Sequence, residues 1–252
     1  MEWIAAAYQA LPWEVWAIMA LLVMAGAIMQ AGAGIGFGSG AAPGAMLFAP
    51  MLMPATILCL SFIAASLGAA RLVGRIAYGQ VAIALIGRSI GSALAAWLIV
   101  TLGSRDSFAL LFAGLMLLGV GLSLWRIVMP LNWLTLIAAG TLSGLMVTIT
   151  TIGGAPMVLI YQNEPPEVVK PTLNAYFAIG TIPPLIALWS AGVLTTASLG
   201  YAAVLLPAVL VGVALTRFFV GIIDRRYKTI LLSFCVLTAV VIAVRALVRM
   251  AG

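Results

Sequence analysis

Long apolar runs separated by short polar turns dominate the chain. Eight long runs cover roughly 13–35, 55–74, 80–102, 107–128, 133–152, 168–191, 198–220 and 229–248. Two shorter runs, at roughly 41–53 and 155–161, follow stretches rich in glycine and proline. A bilayer core about 30 Å thick requires about 20 apolar residues per helix. The pattern therefore predicts an all-α, polytopic transmembrane bundle of eight long helices plus two short broken or re-entrant ones.

Composition supports a membrane protein. Hydrophobic residues make up 65% of the chain and charged residues 7%, whereas about a quarter of a soluble domain is charged. The mean hydropathy is +1.24. Cys59 and Cys235 lie inside apolar segments, so a disulfide is not expected. There is no histidine, which removes imidazole metal sites and histidine proton relays. We therefore predict no cofactor and no metal.

A motif occurs twice. Gly40, Ala42 and Pro43 match Gly153, Ala155 and Pro156 at an offset of 113 residues. The same offset pairs Ser61 with Asn174. Repeat one covers about 13–128 and repeat two about 133–248, and the joint between them is too short for a flexible linker. The chain is therefore predicted to form a single transmembrane domain over 1–252. Helix breaks at matching places in two halves indicate a transporter's substrate site.

Loop charges suggest that the two halves are inverted. The loop near Arg71 and Arg75 is basic, and the matching loop at 191–197 is uncharged. Since cytoplasmic loops are enriched in Lys and Arg, opposite charge in matching loops favours opposite orientation. If both short runs count as crossings, an outside N-terminus places Arg105, Arg245 and Arg249 outside and most basic residues inside: Arg71, Arg75, Arg126, Lys170, Arg217, Arg225, Arg226 and Lys228, near Asp224. If the short runs do not cross, almost no charge bias remains. In the inverted arrangement the net charge of +6 is mostly a topology signal, and no nucleic-acid partner is expected.

The breaks themselves carry the candidate chemistry. A new helix start leaves about four backbone N–H groups without internal partners, and the helix dipole makes that end a small positive pole that holds anions. Gly153 and Gly154 precede one such start, and Thr150 and Thr151 add hydroxyl donors. We expect Ser39, Gly40, Ala41 and Pro43 to form the other. The alternative is that the glycines only permit close helix packing.

Polar residues inside apolar runs are further candidates. Arg88 lies in an apolar run between Gly87 and Gly91; its guanidinium suits a sulfonate or carboxylate, and the alternative is snorkelling to the interface. Asn174, Ser61 and Gln30 could each bind substrate oxygens or satisfy freed backbone groups, and both interpretations stay open. No Asp or Glu lies well inside a long segment, so an obvious proton relay is absent.

At these motifs the chain resembles the sulfite exporter TauE/SafE family, also called the toluene sulfonate uptake permease family. The resemblance rests on five segments of the sequence: Gly34–Gly40, Arg71–Val81, Ile152–Pro156, Pro165–Val168 and Thr172–Asn174. It implies passage of small sulfur-containing or carboxylate anions such as sulfite, sulfoacetate and other C2 sulfonates. Ser39 and Ala41–Ala42 stand where the family commonly has glycine, which bears on substrate choice more than on fold.

Three classes of function were weighed. An intramembrane enzyme lacks a nucleophile or metal set in this sequence. A non-transporting membrane subunit that assembles with a partner has little use for matched helix breaks. The sequence therefore favours a secondary transporter or facilitator, and on balance an exporter, that is multi-pass in the inner (plasma) membrane. Its expected partners are the lipid bilayer and a small anion, and a homodimer is left open.

Overall fold

The computed structural model describes residues 7–71, 73–102, 104–124, 129–219 and 225–251. Over these ranges the regular elements are helices and no strand occurs. The first half holds α1 Trp13–Ala33, α2 Phe37–Phe48, α3 Ala55–Ala70, α4 Tyr78–Leu102 and α5 Arg105–Leu124. The second half holds α6 Trp133–Thr150, α7 Gly154–Tyr161, α8 Pro166–Gly180, α9 Ile182–Ser190, α10 Thr196–Phe219 and α11 Arg225–Ala251. Arg126 and Asp224, which entered the charge argument, lie outside the described residues.

The all-helical membrane fold predicted from the sequence is confirmed. In the described ranges, seven helical segments are long and apolar enough to cross a membrane, with α8 and α9 counted as one segment. The eighth long run is α3, whose 16 residues extend about 24 Å. The two short runs are α2 and α7. The predicted run 168–191 differs in one respect, because it divides into α8 and α9 at Thr181.

Helices of the two halves pack on one another reciprocally. In chain order α1 corresponds to α6 and α4 to α10. The helix α4 of the first half packs along α6 of the second, and α10 of the second half packs along α1 of the first. The corresponding helices α3 and α8 contact each other, as do α5 and α11. Two-fold related halves produce this pattern of exchange, while their inversion in the membrane stays a prediction.

Glycines bring α4 and α6 into close contact. Gly87 and Gly91 on α4 face the backbone of Ile137 and Thr141, and a Cβ at either glycine would collide with a carbonyl oxygen of α6. Likewise, a Cβ at Gly140 or Gly144 on α6 would collide with a carbonyl oxygen of α4. Lipid chains are as apolar as leucine, so helix association in a bilayer depends on such close packing. The glycine flanks of Arg88 therefore do serve close packing, as their sequence indicates.

We expect Gly91→Ala to destabilise the protein, because the added methyl group cannot fit against the Thr141 carbonyl without separating the two helices. Overpacking of this kind costs about 1–3 kcal/mol. The measurement is the free energy of unfolding in mixed micelles of a mild detergent and dodecyl sulfate. Gly114→Ala on α5 is the matched control, because a Cβ there meets nothing within 4 Å. Equal stability of the two variants would contradict the packing argument.

Candidate functional site

The two helix breaks touch each other. The first runs from Gly34 to Gly36, whose φ angles are +81° and +113°. The second runs from Thr151, with φ of +59°, to Gly153. A Cβ at Gly38 would collide with the carbonyl oxygen of Thr151. The first turn of α2 therefore rests directly on the end of α6, and a side chain at position 38 is sterically excluded.

The first break lies about one turn earlier than the repeated motif predicts. The N-terminal capping residues are Gly36 and Gly153, so the helix starts are 117 residues apart, not 113. Pro43 is consequently inside α2, whereas Pro156 is in the first turn of α7. The expectation that α2 starts around Ser39 to Pro43 was wrong. The physical reason is that positive φ at two glycines fixes the break, and a proline is tolerated further on in the helix.

A cavity of about 460 Å³ opens between the two breaks. Its walls come from both breaks and from α3, α5, α8 and α11. Six of the predicted site residues line it: Gln30, Ser39, Ser61, Thr151, Gly153 and Gly154. Five predicted residues are buried but lie outside this lining: Gly40, Ala41, Arg88, Thr150 and Asn174. The structure thus brings the residues from both repeats into one chamber.

Side chains cover the carbonyl groups that the breaks release. The Gln30 Nε2 amide donates to the Gly34 carbonyl at 2.9 Å, and the Ser143 hydroxyl donates to the Gly153 carbonyl at 2.6 Å. Gln30 also accepts the Phe37 N–H at 3.4 Å and donates to Asn174 Oδ1 at 3.3 Å. Freed backbone groups in a bilayer need such partners. Gln30 therefore supports the first break while it also lines the cavity.

Asn174 belongs to the support of the first break. Its amide donates to the Lys170 carbonyl one turn earlier at 3.1 Å, and its oxygen receives the Gln30 amide. A Cβ at Gly68 would lie 2.5 Å from that oxygen, so α3 closes over it. Of the two interpretations of Asn174, the contacts fit the one in which it satisfies polar groups near the break. Ser61, its partner in the sequence repeat, lines the cavity instead.

The first turns of α2 and α7 face the cavity, and at α2 the Phe37 N–H is already bound by the Gln30 side chain. Neither Gly36 nor Gly153 provides a capping side chain. Gly38 and Ser39 in the first turn of α2 line the cavity, as do Gly154 and Ala155 in the first turn of α7. First-turn N–H groups have no partner within their own helix. The Gly40 N–H is already bound to the Gly36 carbonyl at 3.1 Å, so Gly40 has no N–H left to offer.

The hydroxyl groups of Thr150 and Thr151, at the second break, have different hydrogen-bond environments. The Thr150 hydroxyl donates to the Met146 carbonyl at 2.8 Å and accepts the Ile152 N–H at 3.0 Å, so it stabilises the bend. The Thr151 hydroxyl is buried and has no hydrogen-bond partner within the described part of the chain. Thr151 lines the cavity and adopts a left-handed conformation that is unusual for a β-branched residue. An unpaired buried hydroxyl at a strained position is typical of a ligand-binding site.

Arg88 lies behind the second break. It is fully buried, and its guanidinium lies over the rings of Tyr176 and Phe177, at 4.8 and 4.9 Å from their centroids. It donates through Nε to the Gly180 carbonyl and through Nη1 to the Ser143 hydroxyl at 3.3 Å. Nη2 has no partner in the described structure. Arg88 therefore does not extend to the interface, and it reaches the Gly153 carbonyl through Ser143.

Ser143 is the residue that sequence reasoning missed. It links Arg88 to Gly153, and a Cβ at Gly153 would lie 2.6 Å from the Ser143 carbonyl oxygen. Its sequence context, a serine directly before Gly144 in a stripe of small residues, gave a usable signal. A hydroxyl beside closely packed glycines is well placed to reach another helix's backbone. Phe177 was likewise not predicted, although it both lines the cavity and contacts Arg88.

We expect Ser143→Ala and Arg88→Lys to destabilise the protein non-additively. Ser143→Ala leaves the buried Gly153 carbonyl unpaired, which costs about 1–3 kcal/mol. Lysine cannot donate to Gly180 and Ser143 while stacking on two rings. Because both changes break one linked network, the double variant should show a coupling energy of about 0.5–3 kcal/mol in unfolding titrations. Ser89→Ala, at an exposed serine next to Arg88 on α4, is the control. Strictly additive changes in the free energy of unfolding for Ser143→Ala and Arg88→Lys would contradict the link between Arg88 and Ser143.

Comparison with known proteins adds the family. The model of the family described as "Sulfite exporter TauE/SafE" matches residues 18–242. No curated protein and no solved structure gives a significant match. The match spans both repeats, both helix breaks and nearly all of the described helices. The chain therefore belongs to the sulfite exporter TauE/SafE family of membrane transporters.

Proposed function

We propose that the protein is a secondary transporter or facilitator that exports small sulfur-containing or organic oxyanions across the inner (plasma) membrane. The anion binds in the cavity between the starts of α2 and α7. The observation that carries this proposal is that the N-terminal turns of α2 and α7 line the same cavity. Family membership supports transport of sulfite or related sulfur anions, and sulfoacetate and other C2 sulfonates are the candidate substrates.

The lining favours an anion without a counter-charge. Its residues include no Asp, Glu, Lys or Arg within the described part of the chain. The positive potential instead comes from the dipoles of α2 and α7, each equivalent to about half a unit charge at its N-terminus. The hydroxyls of Ser39, Ser61 and Thr151 add neutral donors. Neutral donors hold an anion less tightly than a fixed cation, which suits a carrier that must release its cargo.

Arg88 contributes at longer range in this proposal. Its charge is buried, and neither the hydrogen bonds nor the ion pairs of the described residues join it to a carboxylate. In a low-dielectric surrounding an unmatched charge acts over longer distances than in water. Arg88 therefore raises the potential of the chamber without lining it, and it holds Gly153 in place through Ser143. In this proposal Arg88 positions Gly153 and raises the local potential, in place of the direct contact with substrate that was one of the two interpretations of its sequence.

The size of the chamber and the membrane potential fit export. A volume of about 460 Å³ is about fifteen times the share of one water molecule in the liquid, so a C2 sulfonate and several waters fit. An inside-negative potential of 100 mV adds about 2.3 kcal/mol per negative charge toward export. Since no carboxylate lines the chamber, proton coupling is not required by this site.

Thr151→Val tests the site with little structural cost, because the hydroxyl it removes has no hydrogen-bond partner among the described residues. We expect the dissociation constant for sulfoacetate to rise about tenfold or more, as a hydrogen bond to a charged group is worth about 1.5–3 kcal/mol. Thr151→Ser should restore most of the affinity. The measurement is isothermal titration calorimetry of the purified protein in detergent.

The control for this test is Thr148→Val on the same helix. Thr148 is buried, and its hydroxyl donates to the Gly144 carbonyl, so the substitution should alter stability more than affinity. Unchanged sulfoacetate affinity in Thr151→Val would remove the second break from the site. Flux of sulfite and sulfoacetate into protein-only liposomes tests the function itself. Binding with no flux would favour a non-transporting subunit.

A further inference from the structure

A second cavity of about 830 Å³ lies at the other end of α5 and is not explained by the anion site. It is enclosed by the C-terminal end of α2, the N-terminal end of α5 and the C-terminal end of α11. Its walls include methionine, leucine, isoleucine, phenylalanine and alanine side chains. Among the described residues, the charged ones in its lining are Asp106, Arg245 and Arg249.

The two cavities are arranged in series along the same three helices. On α5 the first cavity uses Met116 to Leu124, and the second uses Asp106 to Ala109. On α11 the first uses Leu232 and Cys235, and the second uses Ile242 to Arg249. Since Asp106 and Leu124 are about 27 Å apart along a helix, the cavities face opposite ends of the bundle. The helix α2 spans the interval between them.

A thin layer of buried, mainly apolar side chains separates the first cavity from the second. Phe112, Ala42 and Ala239 are completely buried, belong to one apolar cluster and line neither cavity. Thr238 shares the inward face of α11 with Cys235 and Ala239, because positions three and four apart lie together on a helix. Its hydroxyl is fully buried and has no hydrogen-bond partner in the described structure. An unpaired hydroxyl inside an apolar layer is costly and is well placed to touch a passing polar solute.

Charge at the second cavity also favours an anion. Arg249 lies 3.8 Å from Asp106, and its side chain is 70% exposed, so this contact is weak and readily displaced. Arg245 adds a second exposed cation. Over the described residues of the lining, two arginines and one aspartate leave a positive excess of one charge. Clefts with an excess of one sign raise the local concentration of the opposite ion by 10-fold or more.

We propose that the second cavity is the opposite mouth of the anion pathway, in which Arg245 and Arg249 bind and concentrate small oxyanions. Phe112, Ala42 and Ala239 form the barrier between this mouth and the central site, and Thr238 is a polar contact within it. This inference rests on the proposed function. It assigns a second anion subsite and identifies the segment of the pathway that is closed in this structure.

Cysteine modification from each side of the membrane tests the two mouths separately. In a Cys59→Ser background the native Cys235 reports on the first cavity. In a Cys59→Ser, Cys235→Ser background, Ala109→Cys reports on the second. The probes are a sulfonate-bearing and a trimethylammonium-bearing methanethiosulfonate, applied to intact cells and to inverted membrane vesicles. Both backgrounds must elute as a single monodisperse species in size-exclusion chromatography, and Ser104→Cys replaces Ala109→Cys if Ala109→Cys does not fold.

We expect Cys235 and Ala109→Cys to react from opposite faces. We also expect Arg245→Gln together with Arg249→Gln to lower the rate ratio of anionic to cationic reagent at Ala109→Cys by about tenfold. Arg217→Gln, which removes an exposed charge outside both cavities, should leave that ratio unchanged. Reaction of both cysteines from the same face, or an unchanged ratio in the double glutamine variant, would overturn the assignment.

The barrier formed by Phe112, Ala42 and Ala239 is tested by the rate at which a cysteine inside it is modified. Phe112→Ala should raise the rate of Thr238→Cys modification from the second mouth at least tenfold, whereas Leu117→Ala, on the exposed face of the same helix, should not. Equal rates in the two variants would overturn the barrier. Protection of Cys235 by sulfoacetate tests the proposed function independently. If protection and flux persist while the Ala109→Cys result fails, only the second mouth is wrong.

Discussion

A helix that is broken inside a bilayer must find partners for the backbone groups it releases, because lipid offers none. The structure meets this requirement with polar side chains at the two helix breaks and at the junction of α8 with α9. Gln30 covers the Gly34 carbonyl, Ser143 covers the Gly153 carbonyl and Arg88 covers the Gly180 carbonyl. The remaining arrangement depends on these contacts, since they allow irregular backbone to persist within the bundle.

The backbone carbonyl groups and the backbone N–H groups at the breaks are satisfied to different extents. The carbonyl groups of Gly34 and Gly153 receive side-chain donors, whereas the capping residues Gly36 and Gly153 have no side chain to offer, and Gln30 binds the Phe37 N–H. First-turn residues of both helices line the cavity. In the proposed function a negatively charged solute would supply acceptors for their N–H groups, and the buried charge of Arg88 would add to the positive potential.

Much of the fold follows from local sequence, whereas much of the site does not. Apolar runs of about 20 residues have few alternatives in a bilayer, so the ten predicted segments recur in the structure. The start of α2 was misplaced because Gly34 to Gly44 offers several positions where the chain could bend, and only tertiary contact with Thr151 selects one. Arg88 could not be assigned from its own segment, since Ser143, Tyr176 and Phe177 come from other helices. Thr151 in a left-handed conformation has no local sequence signal at all.

The contact between Gly38 and the Thr151 carbonyl has a mechanical consequence. Because no space separates the first turn of α2 from the end of α6, neither half-helix can shift along the other without lifting the whole junction. We therefore expect the two breaks to move as one rigid body, so that in the proposed transport cycle the candidate site would keep its shape. Movement would then be left to the helices that flank this body.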